Sequence, residues 1–247
     1  MKNLLFYFSC FIFFLPHTIQ AQSSISNASN DNALTINGNI ADALNGKQLI
    51  ESGRISEVGG SPFLFETWQP AYVFNAHGKK IDQLVSSKID IFRNQIVLKN
   101  EAGKEIYLDP LKVSGIEIID EKGATKKLKR FSVKQNYLPY YCEVLFESPK
   151  IILVLNNVKI YKRADFVQRG VIATGSPYDR FELGDKDYYL KVANKSFQKI
   201  NLTRTDFTKQ FEPEQQKKLI DFCKSNGISK KLNSSEVFLL CNFAVGL

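Results

Sequence analysis

Histidine is nearly missing from this chain. Of 247 residues only His17 and His77 are histidines. Nucleophilic hydrolysis of the Ser-His-Asp or Cys-His kind needs a base placed beside the nucleophile. His77 stands alone next to Gly78 and reads as a turn residue. Cysteine is also sparse, at four residues. Zinc centres need clustered Cys and His ligands, and this scatter does not provide them. Gly59-Gly60 lacks the spacing and the Lys of a phosphate-binding loop. "GDKD", residues 184–187, lacks the rest of a twelve-residue calcium loop. The expectation is therefore no catalytic residue of these classes, no metal and no cofactor. Paired carboxylates are not excluded in this way, because spacing along a sequence does not fix their separation in space. Asp109, Glu117, Asp120, Asp185 and Asp187 keep a carboxylate-dependent glycan hydrolase open, although each reads first as a loop or surface residue.

Long apolar runs are absent past the N-terminus. "MKNLLFYFSCFIFFLPHTIQAQ" has a charged start, an apolar stretch from Leu4 to Pro16 and a small residue at Ala21, the layout of a cleaved signal peptide. The stretch is shorter than the ~20 residues that span a bilayer. Cleavage after about Ala21 gives an exported chain, periplasmic or extracellular, with no integral membrane segment in its mature form. Cys10 lies inside the apolar stretch, whereas a lipid-bearing Cys should close it. Cys142, Cys223 and Cys241 remain. Three is an odd number, so at least one stays unpaired within the chain. A Cys223–Cys241 bridge is the candidate pairing, since both fall in the C-terminal helical region, and three separately buried thiols are the alternative.

What the chain does have is aromatic and β-branched residues in short alternating segments. Residues 22–57 are Ser- and Asn-rich at the start and read as a flexible N-terminal arm. From Ala71 onward Ile89/Ile91 and Ile96/Leu98 alternate with polar residues, and turns fall at Gly78, Arg93-Asn94-Gln95, Glu101-Ala102-Gly103 and Gly123. This is the texture of antiparallel meander sheets. "YYCEVLFES" reads as a strand, "KIILVLNNVKIYKR" as a hairpin around Asn156-Asn157, and "DYYLKVANKSFQKIN" as a return to strand. After Asn201 the period becomes helical. Thr205 or Asp206 would cap a short turn, Pro213 opens a helix that Gly227 closes, and Ser234 or Ser235 caps another. The fold class is mainly β with a C-terminal helical pair, α+β overall. Residues 58–247 read as a single domain, with a split near residue 148 as the alternative.

Formal charge is +8, or +7 without Lys2. The densest basic stretch is "KKLKR", where Lys126, Lys127, Lys129 and Arg130 form a candidate contact to an anionic surface, against a solvated hairpin tip. No nucleic-acid motif accompanies it, so nucleic acid is not an expected partner. "GSPFLFETWQP", Gly60 to Pro70, holds the only Trp. It reads as a turn followed by a strand leading into the core. Its Gly-Ser-Pro recurs at Gly175 without further similarity.

The stretches at Gly60 to Trp68, Glu143 to Leu145, Tyr188 to Tyr189 and Glu212 to Phe243 together resemble a group of exported β-rich proteins of the Bacteroidota without an assigned activity. The resemblance covers residues 58–247, rests on turn and packing residues, and carries over no site; "NFAVGL" past Asn242 departs from it. It implies export and assigns no activity; the signal, the β-rich core and the missing catalytic constellation suggest an envelope protein. Three functions are then expected in order: a non-enzymatic protein acting through interaction with another envelope protein, a binder of a small apolar ligand on a curved sheet, and the glycan hydrolase.

Overall fold

A computed structural model describes residues 58–134, 137–169 and 171–247. The expected signal peptide and N-terminal arm, residues 1–57, lie outside them. The chain is mainly antiparallel β-sheet with helices towards the C-terminus, as the alternation and the late change of period indicate. In chain order, β1 (Gln69–Asn75), β2 (Val85–Asp90), β3 (Gln95–Lys99) and β4 (Glu105–Tyr107) are followed by β5 (Val113–Ile119), β6 (Thr125–Phe131), β7 (Tyr140–Glu147) and β8 (Ile151–Asn156). Next come β9 (Lys159–Lys162), β10 (Val167–Arg169), β11 (Ile172–Thr174), β12 (Arg180–Leu183), β13 (Asp187–Val192) and β14 (Gln198–Ile200). Helices α1 (Arg204–Thr208), α2 (Pro213–Ser225) and α3 (Ser234–Val245) close the chain.

Ten strands form one sheet, in the order β14-β13-β8-β7-β6-β5-β1-β2-β3-β4. Ser148 sits in the turn between β7 and β8, which pair with each other, so the sheet runs unbroken across this point. At the β1–β7 end the sheet curls on itself. Asn94, in the β2–β3 turn, donates to the Pro139 carbonyl (2.8 Å) and accepts from the Tyr141 N–H (2.8 Å), although three strands lie between β2 and β7. The Arg130 guanidinium donates to the Pro110 carbonyl beyond β4. The concave face of this roll buries Ala71, Val73, Ile89, Ile96, Leu98, Ile116, Ile118 and Leu128. Because neighbours along a strand point to opposite faces, the same face continues through Leu153 and Leu190 on β8 and β13. There it is covered by the helices, with Phe207, Leu219, Leu240 and Cys241 completing a second core. The opposite face is closed locally by Val133, Cys142, Val154 and Tyr189.

Local chemistry fixes the helix ends. Pro213 opens α2, and Gly227, at φ +61°, follows its C-cap Asn226. Helix α3 is capped by Asn233, one residue before the expected serines, in a reciprocal capping box with Glu236. Thr203, rather than Thr205 or Asp206, caps α1.

Three expectations are corrected. Gly60 to Trp68 is not a strand; it crosses the roll as an irregular strap, and pairing starts at Gln69. Gly60 takes φ +74° and Pro62 has no N–H, so continuous ladder bonding is unavailable. Asn156-Asn157 does not turn a hairpin: β8 pairs with β7 and β13, whereas β9 leaves the sheet and pairs with β12. Lys126 to Arg130 is no hairpin tip but the body of β6, between β5 and β7.

Strands β9 to β12 make a finger, residues 159–183. Backbone bonds Gly59 N to Asp179 O and Phe181 N to Gly59 O, both 2.8 Å, tie it to the strap. Phe92 packs on Tyr161 and Phe181 with ring centroids 6.4 and 5.1 Å away. The two Gly-Ser-Pro turns thus meet: the strap's Gly59-Gly60 docks on the residues that leave the second turn.

Candidate functional site

The sequence-selected residues are dispersed by the fold. Lys126 and Arg130 share the concave face of β6 with Leu128, and Lys127 and Lys129 point the other way. Each is engaged: Lys126 pairs with Glu143 (2.9 Å), Lys129 with Glu147 (2.6 Å), Lys127 lies 5.3 Å from the Phe74 ring centroid, and Arg130 lies over Tyr141. The four cations therefore do not form one exposed patch. Cys142, Cys223 and Cys241 are free, buried thiols, the last two in the helix-covered core. Burial pushes the Cys142 and Cys241 thiols up to about 12, which keeps them protonated and unreactive. His77 sits in the exposed turn after β1, its N–H on Asn75 Oδ1.

The carboxylates are spent on structure. Asp109 accepts from Leu111 N, and Asp120 from Lys122 N and Ala124 N, both shaping turns. Glu117 pairs with Lys80 (3.0 Å) and Asp187 with Lys199 (2.5 Å), while Asp185 is exposed. No cluster of three or more metal-capable side chains occurs among the described residues. Nor is any helix among them long and apolar enough to cross a membrane.

One cleft does gather side chains from distant segments. It has a volume of about 320 Å³ and lies on the concave face, at the seam between the rolled core and the helix-covered core. Lys126 on β6, Glu143 and Leu145 on β7, Leu155 on β8 and Tyr188 on β13 come from the sheet. Leu64 and Phe65 of the strap line it, as do Leu202 and the first turn of α3, Ser234 and Val237. Asn157 and Lys186 complete it from the loops at the β8 and β13 ends.

Its two halves differ in chemistry. Leu64, Phe65, Leu145, Leu155, Leu202 and Val237 make an apolar wall. Lys126 and Glu143 form the one ion pair, with 34% and 14% of their side chains exposed. The side chains of Asn157, Lys186, Tyr188 and Ser234 have no hydrogen-bond or ion-pair partner among the described residues. Burial, then the nearby Glu143 charge, raises the Tyr188 phenol above its ordinary value, so it stays a donor at neutral pH. The cleft is a concave surface of mixed character, at least as polar as it is apolar, and small-molecule sites likewise pair an apolar wall with a few converging polar groups.

Lys126 and Phe65 belonged to stretches the sequence had already marked. Asn157, Lys186 and Ser234 were read only as a turn residue, as part of "GDKD" and as a helix cap, and only the sheet order brings them together. Gly60 to Trp68 contributes Leu64 and Phe65, Glu143 to Leu145 its two end residues, Tyr188 to Tyr189 its first, and Glu212 to Phe243 Ser234 with Val237. Comparison of the chain with protein-family models, curated proteins and solved structures finds no match.

Proposed function

We propose that this is an exported, non-enzymatic binding protein that holds a small amphipathic molecule in the cleft between its two cores. One observation carries the reading. Four polar side chains, Asn157, Lys186, Tyr188 and Ser234, converge without protein partners on a cleft whose other half is apolar. Polar groups open to solvent and free of protein partners, beside a hydrophobic wall, are what a ligand with one polar end and one apolar end can engage.

The test is native mass spectrometry of the purified mature chain, followed by thermal shift with a panel of short-chain amphiphiles. The wild type is expected to carry a discrete non-protein mass or to be stabilised by a panel member. Ser234→Trp, which fills the cleft from an exposed helix position, is expected to lose both while keeping its far-UV spectrum. A bare chain mass together with no shift across the panel would overturn the reading.

A second reading, docking to another envelope protein, is favoured by the finger. Phe166, Val167, Val171 and Ile172 are exposed near its end, and Tyr178 is exposed near its base. Apolar side chains gathered on one exposed projection are common at protein interfaces.

A further inference from the structure

Resting on the reading of the cleft as a small-molecule site, we infer that its ligand is a monoanion: a short amphiphile whose single carboxylate lies against Lys186, with its apolar tail along the Leu64–Phe65 wall. The argument is one of charge balance. Three charged side chains line the cleft, Lys126, Lys186 and Glu143. Glu143 answers Lys126 at 2.9 Å, and no carboxylate answers Lys186 among the described residues. Its neighbour Asp187 is occupied by Lys199. The cleft therefore carries one uncompensated positive charge. A single negative charge neutralises it, whereas a cation would face two ammonium groups.

The uncharged groups agree. Lys186 can only donate, the Ser234 hydroxyl and the Asn157 amide can donate, and the Tyr188 phenol is kept protonated. Size permits a short chain. At roughly 30 Å³ for each water-sized group, 320 Å³ holds about ten such groups. An eight-carbon chain with its carboxylate fits within that volume.

The experiment compares octanoate, 1-octanol and octylammonium, which share one tail and differ in head charge, by isothermal titration at pH 7 and low salt. Wild-type protein is expected to bind octanoate at least tenfold more tightly than octanol, and octylammonium more weakly than either. Lys186→Glu, an exposed substitution, changes the cleft from +1 to −1 and is expected to place octylammonium ahead of octanoate. Glu143→Gln raises it to +2 and should tighten octanoate severalfold with octanol unchanged. Octanol and octylammonium binding within twofold of octanoate, or a ranking unmoved by Lys186→Glu, would overturn the charge assignment and leave the cleft as a ligand site. No binding by any of the three removes both.

Discussion

At the scale of single residues, glycine shows where backbone and partner act separately. Gly60 and Gly78 both hold positive φ, +74° and +78°. A Cβ on Gly78 would meet nothing within 4 Å, whereas on Gly60 it would lie 2.6 Å from the Phe181 carbonyl oxygen. Gly78→Ala is therefore expected to cost only the left-handed backbone term, about 1 kcal/mol. Gly60→Ala must also move the strap off the finger and should cost about 2–4 kcal/mol. Urea unfolding of the two variants checks this, and equal losses would mean that the strap gives way freely. The conformational need was readable in both sequences, since each glycine follows a turn signal. The close approach was not, because Phe181 lies far along the chain. The same reasoning applies to the cleft: Lys126 in "KKLKR" and Lys186 in "GDKD" both lay in marked stretches, and only the fold brings them to one cleft.

At the scale of elements, strands and turns were legible and partners were not. Alternation marked β2 and β3, strand-like stretches fell on β7 and β8, and the turn glycines Gly103 and Gly123 fell where φ is positive. Asn156-Asn157 marked a real change of direction. It could not show that β9 would turn away to β12, because turn residues encode a bend and not the identity of the next pairing. That choice creates the finger. Its base is held by the Phe92–Tyr161–Phe181 contacts and by Tyr161 donating to Asp179, which lowers the Asp179 carboxyl below its usual range. Among the described residues, none near its end joins either core. Replacing residues 165–176 by Gly-Gly is therefore expected to leave far-UV spectrum and thermal midpoint within a few degrees of wild type. If the finger docks a partner, in-cell cross-linking should return one stoichiometric envelope protein with the full chain and lose it with the shortened one. Retention of that protein by the shortened chain would move the interface elsewhere.

At the scale of the whole molecule, the question is whether two cores on one sheet unfold as one. The chain offers a separate reporter for each. Trp68, the only tryptophan, lies in the strap beside the rolled core, with Lys88 and Lys99 5.0 and 5.6 Å from its ring. Helices α1 to α3 lie at the other end of the sheet. Between them β6, β7 and β8 pair continuously, and β7 contributes Tyr141 to the rolled core and Leu145 and Phe146 to the helix-covered one. Separating the cores would require breaking a ladder in mid-sheet, exposing unpaired N–H and C=O groups along two new edges. It would also open the cleft, whose lining comes from both sides. Unfolding is thus expected as one cooperative transition, with Trp68 fluorescence and helical circular dichroism superimposing along the urea axis. Non-coincident curves, with the tryptophan transition displaced from the helical one, would instead mark a boundary near residue 148 and two separately folding lobes. Under the single-transition outcome, a ligand in the cleft stabilises both reporters together, because it binds only where the two cores are joined.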